Sequence, residues 1–299
     1  MTNTEAPTQP ASQRYDLRRT DIDDALDRVE KALQVRLDPD GQVRKRRSLG
    51  AGTDRGTWIR IELRGPEKLD GQGWGVEASH VLHGVAKPTW HAGFSWLDTA
   101  RQVMWRADET DLVTDAPIKG GGTLITDPQL SPDWWAVFDR SLDALAAHRT
   151  VRRATIDTEP MTQQRLTSTI ENVFPGRIDT TIGEWTTAHA DLGWANLTSP
   201  TCFLLDWEDW GTCPRGTDSA KIWASSLAVP GLADQIHRHR RADLDSRTGR
   251  LMALFYCSQI IAVGVDDTSP LLQPAKHEAA RLIEHLRDRP RASQAGQSG

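Results

Sequence analysis

The residues best equipped for chemistry lie close together in the second half of the chain. The stretch Thr187-Ala-His-Ala-Asp-Leu-Gly-Trp-Ala-Asn196 sets His189, Asp191 and Asn196 in the spacing H-x-D-x-x-x-x-N. An apolar run follows, Phe203-Leu-Leu, ending in Asp206-Trp-Glu208. An amide and a carboxylate brought together supply hard oxygen ligands of the kind Mg²⁺ prefers. A separate aspartate can orient an alcohol and accept its proton. Taken alone, an H-x-D is equally a capping or surface arrangement. A transition-metal site would need a third His or Cys at ligand spacing, and none lies nearby.

These residues sit in a chain of 299 residues, long enough for two domains or lobes. Hydrophobic residues make up 38% and charged residues 26%, a composition that can bury a core. The formal net charge of -5 gives no reason to expect nucleic-acid binding. The short basic runs Arg44-Lys-Arg-Arg47 and His237-Arg-His-Arg-Arg241 read as solvated faces. No stretch is apolar enough to span a membrane. Cys202, Cys213 and Cys257 form no C-x-x-C pair and read as reduced thiols of a cytoplasmic protein. Tryptophan is in excess: twelve Trp against five Phe and two Tyr, so indoles carry most of the aromatic packing.

The elements that must hold the site change character along the chain. Residues 1–14 and 289–299 are polar and read as disordered tails. Ile22, Leu26, Val29 and Leu33 recur at helical spacing behind Thr20 as N-cap. Residues 35–113 then offer short strands, Thr57–Arg64 and Val103–Ala107, with turns at Asp38–Gly41 and Leu97–Ala100 and one helix around Val76 to Leu82. From Ser131-Pro132, an N-cap followed by proline at N1, the pattern is helical. Helices are predicted from there, over 160–173, 218–228, 231–241, 247–264 and 272–287, with a non-helical stretch at 177–217. The expected fold is α+β, with a small antiparallel β lobe over 15–115 and a larger, mainly helical lobe over 116–288. No internal repeat is present.

H-x-D-x-x-x-x-N followed by D-W-E resembles the catalytic and metal loops of the aminoglycoside phosphotransferase family, with Ala190 where that family usually has glycine. Gly211-Thr-Cys-Pro-Arg-Gly-Thr-Asp218 resembles its segment opening the next helix. The resemblance implies a bilobal protein-kinase-like fold. It implies Asp191 as catalytic base and Asn196 and Asp206 as Mg²⁺ ligands, with His189 and Asp218 supporting the loop. ATP, or GTP, would donate its γ-phosphoryl group to a hydroxyl of a small molecule such as an aminoglycoside, sugar or aminoalcohol. Glu208, Trp194 and Trp210 are candidates for substrate contact.

The N-terminal half matches less well. Leu49-Gly-Ala-Gly-Thr-Asp-Arg-Gly56, with Gly50 and Gly52, is the candidate phosphate loop, though it fits neither G-x-G-x-x-G nor a P-loop. No lysine lies on the Thr57–Arg64 strand, so Arg60 is the candidate phosphate cation and Glu77 its partner. Either can equally be a solvated residue. The strand Val103–Glu109 falls where the family places the hinge whose backbone meets the adenine. The missing lysine keeps a second reading open, a kinase-like module that binds nucleotide or a partner without transfer. Only eleven residues separate Asp206 from Asp218, too few for the peptide-docking segment of a protein kinase.

Overall fold

In a computed structural model, residues 15–65, 74–156, 159–263 and 268–287 are described. The expected tails, 1–14 and 289–299, lie outside them. The chain forms two units: residues 1–83, 87–116 and 205–209 make one, and 84–86, 117–204 and 210–299 the other. The short segment Leu205–Asp209, with the D-W-E motif, therefore belongs with the N-terminal sheet rather than with the helices that flank it in sequence.

The first unit is built from helix α1 (Asp23–Leu33), strands β1 (Val43–Arg44), β2 (Ser48–Gly52) and β3 (Thr57–Arg64), a short helix α2 (Gly75–Ala78) running into a 3-10 turn, and strands β4 (Trp90–Asp98) and β5 (Val103–Asp111). The five strands make one antiparallel sheet in the order β1-β2-β3-β5-β4. Alternation along β3 decides what each face holds. Ile59, Ile61 and Leu63 are buried against Val29 and Ile22 of the α1 region and Trp105 of β5. Trp58, Arg60, Glu62 and Arg64 project from the other face.

Two expectations are corrected here, and one strand was not foreseen. Thr20 does not cap α1: its hydroxyl donates to the carbonyl of Asp16 (2.8 Å), while Ile22 holds the N-cap position without a side-chain bond. Thr20 comes two residues too early. β4 escapes the sequence reading because it is an edge strand with weak alternation and a bulge between Trp90 and Ala92. Val103–Glu109 is not a hinge. It is part of β5, an interior strand whose backbone is committed to β3 on one side and β4 on the other, so its N–H and C=O groups are not offered to a base.

The second unit contains α3 (Pro132–Ala147), α4 (Gln163–Glu171), the antiparallel pair β6 (Trp185–Ala188) and β7 (Gly211–Pro214), then α5 (Thr217–Ala224), α6 (Pro230–His239), α7 (Arg241–Leu244), α8 (Arg247–Val263) and α9 (Leu272–Arg287). Ser131 caps α3, accepting from the Trp134 N–H at 3.2 Å with Pro132 at N1. The helix expected from residue 160 starts at Gln163, because Pro160 pairs with Thr155 in a short ladder and Thr162 takes the cap. Helix α8 is buried on every side from Leu251 to Ser258, which makes it the axis of this unit. No described helix is long and apolar enough to cross a membrane.

The β6–β7 pair leads directly into the candidate site. Gly211 lies opposite Ala188, and Arg152–Ala154 run alongside. A Cβ at Gly211 would fall 2.5 Å from the Ala154 nitrogen and 2.6 Å from the Arg152 carbonyl oxygen. Because those neighbours are backbone, they cannot move aside cheaply. Gly211→Ala should therefore cost about 2 kcal/mol of stability, measured by urea unfolding, and a loss below about 0.5 kcal/mol would contradict this packing.

Candidate active site

The loop after β6 turns on one buried carboxylate. Asp218, in the first turn of α5, is 7% exposed and accepts from the backbone N–H of His189 at 2.7 Å and of Ala190 at 2.9 Å. Burial pushes the Asp218 carboxyl above its ordinary value, against the pull of His189, the two amide donors and Lys221. Those two bonds hold Ala190 at φ 70°, a left-handed conformation that a residue with a Cβ adopts reluctantly. The family's usual glycine would take it freely. His189 itself is fully buried.

The turn at Ala190 sends Asp191 outward, and its side chain is 38% exposed. Both carboxylate oxygens are held. Lys221 Nζ donates to Oδ1 at 2.6 Å, and Asn196 Nδ2 donates to Oδ2 at 3.2 Å and to the Asp191 carbonyl at 2.8 Å. With its nitrogen turned to Asp191, the Asn196 amide keeps its oxygen as a hard donor for a cation. The loop is braced from behind by indoles. Trp194 Nε1 donates to Ser226 Oγ (2.9 Å), and Trp134 Nε1 donates to the Thr198 carbonyl (2.8 Å).

The expected role of Trp194 and Trp210 is corrected by their burial. They are 4% and 2% exposed, and Trp210 is enclosed by His148 and by the Arg152 guanidinium over its ring. Both are core braces and offer no ring face to a ligand.

In the sheet unit, Asp206 also has a left-handed backbone, φ 67°. Its Oδ1 accepts from Arg60 Nη1 at 2.5 Å. Arg60 also pairs with Glu208 and lies 3.4 Å from Glu62, while Arg64 pairs with Glu208 and with Glu62 (2.8 Å). Burial alone would loosen the Arg60 proton, but Asp206, Glu208 and Glu62 outweigh it and keep the guanidinium charged. Arg60 is thus neither solvated nor alone. Glu208 is only 16% exposed and committed to two arginines, so it is not placed as a substrate contact.

Two more expectations for this unit fail. Glu77 does not pair with Arg60: its carboxylate takes Arg106 Nη2 at 2.9 Å. Arg106, opposite Glu62 in the ladder, reaches α2 because Gly93 leaves room; a Cβ there would fall 2.1 Å from its Nη2. Gly50 and Gly52 form no phosphate loop. They lie within β2, and a Cβ on Gly50 would stand 2.1 Å from a ring carbon of Trp58. The glycine makes room for an indole. The turn between β1 and β2 is instead Lys45-Arg-Arg47, a basic turn.

Two residues were missed. Trp58 is half-buried, two places before Arg60 on the same face of β3. Its sequence signal was a pair of glycines opposite an aromatic. Lys221 lies three residues after Asp218, a helical spacing that puts both on one face of α5.

No family model and no curated relative matches the sequence. Solved structures do. A thermostable mutant of an aminoglycoside phosphotransferase, in ternary complex with AMP-PNP and hygromycin B, is similar at 12% identity, covering 90% of this chain and 100% of its own, with a TM-score of 0.57. The chain has the aminoglycoside phosphotransferase fold. A candidate fructosamine-3-kinase from Thermobifida fusca is 14% identical over 87% of this chain and 100% of its own (TM-score 0.54). A spectinomycin phosphotransferase complexed with ADP and spectinomycin is 10% identical over 90% and 94% (TM-score 0.50). The α+β protein-kinase-like fold expected from the motifs is the one present, carried on little sequence identity.

The backbone at Ala190 gives a direct check of the loop geometry. Ala190→Val puts a β-branched, buried side chain at positive φ and should cost about 3 kcal/mol, whereas Ala190→Gly should stay within about 1 kcal/mol of the parent. Equal thermal unfolding of the two variants would show that residue 190 is not held left-handed.

Proposed function

We propose that this protein transfers the γ-phosphoryl group of ATP or GTP to a hydroxyl of a small molecule. The observation that carries the reading is Asp191: a carboxylate at the surface, on a loop pinned by buried Asp218, with Asn196 fixed beside it. In the transfer, the acceptor oxygen bonds to the γ-phosphorus, the bond from that phosphorus to the bridging oxygen breaks, and the nucleoside diphosphate leaves. Asp191 orients the hydroxyl and takes its proton.

From the motif resemblance, Asn196 and Asp206 are the residues that would hold Mg²⁺. Taken singly, each offers hard oxygen, and the Asp206 carboxylate already draws a cationic side chain to itself. When bound, the ion neutralises phosphate charge. Arg60, two places from Trp58, is the side chain for the phosphates, and the half-buried Trp58 indole is a stacking surface for a purine. Stacking does not separate adenine from guanine, so either nucleotide suits it. The basic turn Lys45–Arg47 adds positive charge to the same sheet. The neighbours' complexes, AMP-PNP with hygromycin B and ADP with spectinomycin, support a nucleotide and a small-molecule acceptor. A nucleotide-dependent role suits the cytoplasm. So do three buried thiols, two of them, Cys202 and Cys257, pushed up to about 12 by burial.

The engagement of Arg60 by Asp206 and Glu208 favours one competing reading, nucleotide binding without transfer, since phosphates must compete for that guanidinium. Transfer of label from γ-labelled ATP with Mg²⁺ to a panel of aminoglycosides, sugars and aminoalcohols separates the two. Asp191→Ala should lower transfer at least about 100-fold while ATP affinity is kept. Trp58→Ala should weaken ATP binding about tenfold. Binding of ATP with wild type and Asp191→Ala equally inert would establish the binding module instead.

A further inference from the structure

Residues 178–214 contain no Lys or Arg, yet this stretch carries Asp191 and the rest of the catalytic motifs. Its positive charge must come from elsewhere. For Asp191, helix α5 supplies it. Seven of its eight residues are buried, and the remaining one is Lys221. That side chain is 20% exposed and reaches Asp191 Oδ1 at 2.6 Å.

The helix carrying it is firmly fixed. Asp218 grips the loop backbone, and Ser219 Oγ donates to Asp243 Oδ2 at 2.8 Å. Asp243 also takes Arg240 at 2.8 Å. Lys221 and Asp218 therefore act as two points of one rigid element, one on the loop's amides and one on its outward carboxylate. Asn196 closes the other side of that carboxylate.

We propose that Lys221 is a positioning residue for phosphoryl transfer. It fixes the rotamer of Asp191 and neutralises its charge, so that an anionic phosphoryl group and an acceptor hydroxyl can both approach the same carboxylate. This rests on the phosphotransfer reading. An unneutralised aspartate would repel the group it must serve. The ammonium leaves the lone pairs of Oδ1 and Oδ2 only partly used, so the carboxylate can still accept from a hydroxyl.

The test uses the full chain with Mg²⁺·ATP and water as acceptor, which yields ADP and inorganic phosphate and needs no identified substrate. Lys221→Met should lower kcat about tenfold or more with KM for Mg²⁺·ATP within about twofold, and Lys221→Arg should restore most of it. In an Asp191→Ala background, Lys221→Met should change kcat no further, because it acts through that carboxylate. A Lys221→Met enzyme with unchanged kcat, a loss confined to KM, or a Lys221→Arg variant as impaired as Lys221→Met would overturn the proposal alone. A wild-type protein with no turnover on water or on the hydroxyl panel would refute the phosphotransfer reading and this proposal with it.

Discussion

Charge balance constrains everything around the H-x-D-x-x-x-x-N and D-W-E motifs. Residues 178–214 hold Asp179, Glu184, Asp191, Asp206, Glu208 and Asp209 and neither Lys nor Arg. Five of these carboxylates take cations from other parts of the chain. Arg247 meets Asp179, Arg215 meets Glu184, Lys221 meets Asp191, Arg60 meets Asp206, and Arg60 and Arg64 share Glu208. Helices and strands elsewhere in the chain bring the opposite sign to this acidic stretch. In the sheet unit this costs the network some freedom, because Arg60 is shared among three carboxylates and any phosphate must compete with them.

Backbone geometry at the motifs is held by local contacts as well. Of the five described non-glycine residues at positive φ, two, Ala190 and Asp206, lie within the motifs. Such conformations persist only where the surroundings over-determine them. At Ala190 the determinant is visible: a buried carboxylate that takes two consecutive amides. Those charge-assisted bonds offset only part of the cost of burying Asp218. The turn it enforces brings Asp191 to the surface.

The motif spacing was legible because its parts are local. His189, Asp191, Asn196 and Asp218 lie within about thirty residues, and the alternation of β3 alone separated Ile59 and Ile61 from Arg60. What escaped reading depends on register between distant strands. Gly50 means a phosphate loop or a seat for an indole according to what lies across from it, and only the β2–β3 register puts Trp58 there. Glu77 had two arginines to choose from, and Gly93, thirteen residues before Arg106, decided the choice. The tryptophan excess marked the loops correctly but not their exposure: Trp194 and Trp210 brace from inside, while Trp58 faces a surface. Lys221 needed only the phase of a helix, and was overlooked because a lone lysine carries no motif.

If the carboxylates at Asp206 and Glu208 hold Arg60 for a metal-bound, phosphate-bearing ligand, nucleotide binding must depend on the metal. Calorimetry of AMP-PNP binding, with Mg²⁺ and with EDTA, for wild type and Asp206→Asn, tests this most directly. The expected result is binding that weakens about tenfold or more when Mg²⁺ is removed, and that loses its Mg²⁺ dependence in Asp206→Asn. Binding that is absent altogether, or equal with Mg²⁺ and with EDTA in the wild type, would contradict it.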